Sequence, residues 1–438
     1  MVPGRAGAHN CKQMPRSIFR LLFSSFILLP CFLAAQTPKD VRAVAKQGPS
    51  AIPTVAQYLN STAVDTRVEA IKQLISLGGK ETIEPLLLGT RDTAPEVQIR
   101  ATDGLVNYYM PGYVRQGLGS TLVRTGAQVK AKFSDTNDQV IEGFVEVRPE
   151  VVAALGQLAR SGGSMDSRAN ACRAVGILRG RAAVPDLVEA LRSKDNRVMY
   201  EALVAMQKIR DPEAGPRVVY LLRDLDDKVQ SAAIETAGIL RAKEALPALR
   251  NVISNPRNRN AERSALAALA LMPDAGDTAL LQGYLSAKED KMRASAAEGL
   301  GRMGDAANQV LLEKTWHEDE KMLPRLAAAF GLTMGGNIDL AEEAPLRYLI
   351  NTLNSSAYKD VVQAYLTEAA RGNEVRNVLY KPLEQGTRDE KIQLSRILAS
   401  SGDGASIPFL DKTSRDADSE VAQEGLRALR SLRARLKI

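Results

Sequence analysis

Histidine and cysteine are nearly missing from this chain of 438 residues, which holds two of the first and three of the second. His9, Cys11 and Cys31 fall within the first 35 residues, which leaves only His317 and Cys172 beyond them. One thiol makes no internal disulfide. A zinc or di-iron site needs several His, Cys or carboxylate ligands converging, and an Asp-assisted Ser–His site needs a histidine. His317 lies in TWHEDEKM, a charged stretch that reads as a solvated turn beside Trp316. Cys172, in ANACRAVGIL among small residues, reads as a buried, unreactive thiol. Phosphate-binding glycine loops are missing too: GLGRMG, Gly299 to Gly304, has the glycine spacing but no preceding strand. Carboxylate pairs such as Asp226-Asp227 and Glu342-Glu343 fall at turns or helix starts, where they serve as caps and dipole partners. The sequence therefore predicts no catalytic residue, no metal ligand and no cofactor.

A strong charge imbalance is also lacking. The chain carries 58 basic and 51 acidic residues, formally +7. Arg5, Lys12, Arg16 and Arg20 lie in residues 1–35 with no acid among them, so the rest is near neutral. Nucleic-acid binding normally calls for a concentrated basic face, and none is expected here.

Residues 1–35 have the layout of a secretory signal: Arg16 and Arg20, an uncharged run from Leu21 to Ala35, then small residues before Gln36. Met14 fits the start of such a signal better than Met1. The run contains Pro30 and falls short of the ~20 apolar residues of a membrane span. An exported protein, periplasmic or secreted, is expected, with no transmembrane span in the mature chain. Lipid attachment at Cys31 is the alternative, and Pro30 and Phe32 on either side fit it poorly.

What is present is a period. In MRASAAEGLGRMGD, Met292, Ala296, Leu300 and Met303 keep to one helix face, Gly304 ends the helix, and Asp305 caps the next. The same frame starts at Thr66, Val97, Ser167, Val198, Val229, Ala261, Met292, Met322, Asp360, Glu390 and Val421. Apart from one gap and one longer step, the intervals are thirty to thirty-two residues. Four positions into the frame stand Ala70, Ala101, Ala171, Ala202, Ala233, Ala265 and Ala296, small enough for close helix approach. In phase with it, Pro53, Pro85, Pro185, Pro216, Pro247, Pro345 and Pro408 each open an apolar run, as suits the first turn of a helix. Each unit reads as a proline-started outer helix, a polar turn, a small-residue inner helix and a Gly/Asp turn.

Met292-Arg293, Ala296-Ala297, Gly299-Leu300-Gly301 and Met303-Gly304-Asp305 resemble the signature of HEAT-repeat proteins, specifically the short variety first named in phycobilisome lyases. SRANACRAVGILRG and VQSAAIETAGILRA match it more loosely. The resemblance implies an all-α fold, an α-solenoid or alpha–alpha superhelix of the armadillo/HEAT kind. One enzyme family with such repeats, the deoxyhypusine hydroxylases, holds two irons with several His-Glu pairs. This chain has one such pair, His317-Glu318, so that activity is not carried over. The residues depart from the pattern in the seventy-residue gap from Val97 to Ser167 and the thirty-eight-residue step from Met322 to Asp360. Following residues 1–35, the chain divides into repeats over 36–107, an excursion over 108–150, and a second array over 151–438. The acid-free end LRALRSLRARLKI, with Arg427, Arg430, Arg433, Arg435 and Lys437, fits a polar end cap or a small anion contact.

The excursion is rich in aromatics: Tyr108, Tyr109, Tyr113, Phe133 and Phe144. Val129, Ala131 and Phe133 alternate with polar residues, SDTND supplies a turn, and QVIEGFVEV follows, so a β-hairpin is expected there. Phe133 and Phe144 read as core. Tyr108, Tyr109, Tyr113 and Arg115 are the candidates for partner contact, because interfaces favour Tyr and Arg anchors. Glu69, Arg100, Asp103, Arg173, Glu201, Glu235, Arg263, Glu298 and Arg302 are expected to be exposed along the inner helices, alternating in sign with no basic stripe. That pattern points to a protein or peptide partner in the cell envelope and away from nucleic acid. An enzyme, or an accessory subunit with carboxylate- or cofactor-based chemistry not visible in the sequence, is the alternative.

Overall fold

The computed structural model describes residues 37–114 and 139–438, and all of its regular structure in those residues is helical. The helices alternate between two layers. The inner layer stacks Val64–Leu77, Pro95–Tyr109, Met165–Ile177, Asn196–Ile209, Asp227–Ile239, Arg259–Ala270, Asp290–Met303 and Met322–Met334. Lys359–Ala369, Arg388–Ser401 and Ser419–Leu436 continue it. Shorter outer helices, such as Val184–Ala190 and Leu246–Ser254, pack behind them. One continuous apolar core runs between the layers. This is the α-solenoid.

The local chemistry of each repeat follows from its sequence. Pro53, Pro185, Pro216, Pro247, Pro345 and Pro408 sit in the first turn of outer helices. Asp195, Asp226 and Asp418 cap inner helices by accepting backbone N–H bonds in the first turn. Gly304 ends its helix at φ 66°, and Asp305 accepts from the Ala307 N–H at the next one. The alanines four positions into the frame, Ala70 through Ala296, are all fully buried at 0% exposure. The tightest approach joins Gly301 to Gly331, where any side chain on Gly301 would strike the Gly331 backbone.

The second frame position has a job that its motif does not announce. Arg67, Gln98, Arg168, Gln230 and Arg293 donate to carbonyls at the end of the preceding outer helix, on Ser61, Asp92, Ala159, Leu222 and Ala287, at 2.7–3.1 Å. Those carbonyls have no intrahelical partner, so the side chain both satisfies them and fixes the turn. Arg325 does the same for the Trp316 carbonyl at 3.0 Å. This corrects the expected register: the frame there starts at buried Pro324, not Met322, and the next at fully buried Val362, not exposed Asp360. The extra length of that step is the segment between Met334 and Pro345.

The excursion does not interrupt the inner layer. Pro95–Tyr109 packs directly on Met165–Ile177, with Asn170 donating to the Ile99 carbonyl at 3.3 Å and Ser167 to the Pro95 carbonyl at 3.4 Å. The insertion lies between an inner helix and the next outer one, Pro149–Ser161. Its expected second hairpin limb is not a strand. Residues 139–147 are irregular around a turn, and the Ile141 N–H donates to the Ile177 carbonyl at 3.0 Å. That bond closes an open helix end instead of a sheet ladder. The first limb, with Val129, Ala131 and Phe133, lies outside the described residues.

Candidate functional site

The inner helices present the long face on which a partner would act, and its charges are not arranged as the sequence suggested. Glu69, Asp103 and Glu201 are buried. Arg173 forms a bidentate pair with Glu201 from the next repeat, its Nε 3.2 Å from the carboxylate. Asn170 donates to Asp103 at 3.0 Å, and Arg42 reaches Glu69 at 3.4 Å. Arg263 pairs with Glu289 at 3.5 Å and Arg100 with Glu96 at 2.5 Å. Arg302 and Glu298 pair at 2.9 Å. Of the nine expected exposed charges, Glu235 alone stands open to solvent. Helix stacking sets the position six past the frame start against the position three past it in the next repeat, as in Asp103 with Asn170 and Arg173 with Glu201, while Arg100 and Arg302 also pair within their own helices.

Where the C-terminal ends of inner helices converge, distant repeats touch. Glu368 pairs with Arg302 at 2.9 Å and with Arg241, which lies 127 residues away. Burial raises the Glu368 carboxyl, but Arg302 and Arg241 lower it more, leaving it below the ordinary carboxylate range. Tyr365 donates to Glu298 at 2.5 Å and stacks on Phe330 with centroids 4.7 Å apart. Nearby, Glu142 of the excursion meets Arg427 of the last helix at 3.4 Å. The superhelix is therefore wound tightly enough for its two halves to meet across their inner side.

The aromatic candidates are tied into the fold. Tyr108 and Tyr109 meet edge to face, centroids 4.9 Å apart, and both are half-buried against the core. The Tyr109 hydroxyl accepts from the Arg148 N–H at 3.2 Å. Tyr113 rests on the polar cluster of Asp103, Arg173 and Glu201; burial, then the Asp103 charge, pushes its hydroxyl above the ordinary tyrosine range. Arg115 lies outside the described residues, and Phe144 is half-buried. His317 is exposed in the last turn of Gln309–Glu318, a helix where a turn was expected, with its ring 4.3 Å from that of Trp316. Cys172 is fully buried, and burial raises its thiol above the usual range. Among the described residues no group of three or more His, Cys, Asp or Glu is placed to hold a metal ion.

The family model for HEAT repeats matches residues 152–233 and 216–300. Within this chain, HEAT repeats therefore span residues 152–300. Solved structures similar to it include an engineered protein, 18% identical over 87% of this chain and 98% of its own, TM-score 0.33. The complex of CpcE and CpcF of phycocyanin lyase from Nostoc is 18% identical over 64% of this chain and 96% of its own, TM-score 0.38. Human deoxyhypusine hydroxylase in complex with glycerol is 19% identical over 65% and 96%, TM-score 0.27. No curated protein matches the chain in sequence.

Three residues of the HEAT array carry a charge that the motif does not call for. Arg179, Arg210 and Arg241 follow three consecutive inner helices, within GILRG, KIRD and GILRA, thirty-one residues apart. Each adopts a left-handed backbone, φ 48°, 57° and 52°, and each is exposed. The expected lack of a basic stripe holds for the helix faces but not for this edge. The signal lies in the motif's own Gly304 column, where these three repeats carry arginine instead of glycine.

Proposed function

We propose that this α-solenoid is a non-catalytic scaffold that holds a protein or peptide partner on its inner face, in the cell envelope. HEAT arrays commonly serve as protein-binding scaffolds, since stacked repeats create one extended surface. The observation that carries the proposal is the unbroken inner layer, which continues past the excursion and keeps its own charges paired. Such a surface recognises shape and local polar patterns over many repeats and concentrates no reactive groups. Tyr108, Tyr109, Tyr113 and Arg115, where the excursion leaves the inner layer, are the proposed aromatic edge of that surface. The envelope location rests on Arg16, Arg20 and the uncharged run from Leu21 to Ala35. No helix among the described residues is long and apolar enough to cross a membrane.

The test is an affinity pull-down of the tagged chain from an envelope fraction of its host, read by mass spectrometry, with cell fractionation of the full-length protein alongside. A stoichiometric partner recovered through repeated washing, from a protein found in the envelope, is the expected result. A protein that stays in the cytoplasm, or that retains nothing, counts against the proposal.

A further inference from the structure

The arginine ladder is costly in backbone terms and so calls for an explanation. Among the described residues the non-glycine positions with positive φ are Arg179, Arg210, Arg241 and Lys437, all cations at helix C-terminal ends. Glycine is the residue that suits this slot, and Gly304 occupies it at φ 66° in a later repeat. The helix dipole favours a cation near the C-terminus. It would favour one equally in the preceding turn, where the backbone is unstrained. Retaining three arginines in left-handed positions points to a use for their side chains.

Their surroundings indicate which use. Arg241 already binds a carboxylate from a distant repeat, Glu368. Glu142 of the excursion lines the same cleft as Arg179 and offsets part of its charge. Arg210 stands between the other two with no carboxylate partner among the described residues, and its charge opposes that of Arg179. The chain's own acids thus sit at both ends of the ladder, with the middle rung open. A guanidinium fork matches a carboxylate in two-point geometry.

We propose that Arg179, Arg210 and Arg241 hold an extended acidic peptide segment of the partner, one carboxylate to each rung. This rests on the scaffold function above and names the chemistry of its partner. Packed helices lie ~8–10 Å apart, and a polyproline-II chain advances ~3.1 Å per residue with about three residues per turn, so acidic side chains on one face fall at every third residue. The two carboxylates from Glu142 and Glu368 act as internal competitors at the ends.

The experiment is fluorescence anisotropy on the full chain after residue 35, with a labelled peptide repeating Glu-Gly-Ser. A peptide of the same composition with its glutamates clustered and a single-stranded oligothymidine serve as the other probes. Arg179→Gly with Arg210→Gly removes two rungs while relaxing the backbone. It should keep or raise the melting temperature and weaken the spaced peptide about tenfold or more. Glu142→Gln should tighten binding, and Arg217→Ala, on an exposed outer-layer position, should change nothing. Equal binding of spaced and clustered peptides, tighter binding of the oligothymidine, or unchanged binding by the double glycine variant would each overturn the ladder. If that variant still captures the envelope partner at full yield, the ladder is wrong and the scaffold function stands. If the ladder binds the spaced peptide as described but no envelope partner is ever captured, the scaffold function fails and the ladder stands.

Discussion

The Arg302 guanidinium grips the Glu368 carboxylate through three hydrogen bonds, at 3.1 and 3.2 Å from Nε and 2.9 Å from Nη2, although a whole repeat separates their helices. Arg302 also donates to Glu298 at 2.9 Å and to the Ala270 carbonyl at 3.0 Å, with its charge 5.0 Å over the Phe330 ring. The arrangement joins inner helices that are not neighbours, so it stiffens the curve of the solenoid as well as its stack.

Removing Arg302 leaves the largely buried Glu368 with Arg241 alone and strips Glu298 of its cation. Arg302→Ala is expected to cost about 3 kcal/mol in urea denaturation. Lys314→Ala, which breaks an exposed pair 4.0 Å from Glu318, should cost under about 0.5 kcal/mol. A comparable small effect for both would show that Arg241 alone compensates Glu368.

The same carboxylate gives a pH dependence. The folded pKa of Glu368 is depressed, so its contribution is fully present above the unfolded value of about 4.3 and is lost as pH falls through the lower folded value. Stability should drop over that acid window, and the drop should be smaller in Glu368→Gln. Melting temperatures from neutral to acid pH for the two proteins provide the check.

Glycines in this fold have opposite tolerances. Gly301→Ala forces apart two inner helices at the Gly301–Gly331 contact and should cost about 1–3 kcal/mol. Gly283, on an outer helix, has open space around it, and Gly283→Ala should gain about 0.5–1 kcal/mol from helix propensity. Thermal denaturation of the pair compares the two signs directly.

The repeat unit was readable because its determinants are local. A proline opens a helix, an aspartate caps one, and alanine fits between stacked helices, and each needs only a few neighbouring residues to act. The register slip at Met322 and Asp360 is two residues at each, because Arg325 and Ala328 repeat the spacing of Arg293 and Ala296 only from a start at Pro324, where a proline replaces the usual apolar residue. The fate of the inner charges was hidden for a different reason. Arg173 and Glu201 look solvated on their own helices and become a pair only when the repeats stack. Arg241 and Glu368 meet only after several repeats have accumulated curvature. The hairpin expectation failed over 139–147 because alternation alone does not reveal that the Ile141 N–H closes a helix end.

Cys172 should be silent in the native protein. Its full burial and raised thiol pKa predict negligible modification by a maleimide until denaturant opens the array. Rapid native labelling would mean that the inner helix Met165–Ile177 opens locally.

The Glu142–Arg427 pair, about half exposed on both sides, sets a weak closure between the excursion and the last helix. Arg427→Glu should enlarge the radius of gyration measured by X-ray scattering at low salt, and Glu142→Arg in the same chain should restore it. The difference should shrink in molar salt, where the Debye length is about 3 Å.

The inner face is proposed to hold the partner. Hydrogen exchange of the chain alone and with its captured partner tests it most directly. Added protection should fall on the inner helices and their C-terminal edge, around Arg179, Arg210 and Arg241, with outer helices such as Val184–Ala190 and Leu246–Ser254 unchanged. Protection confined to the outer layer would contradict the account.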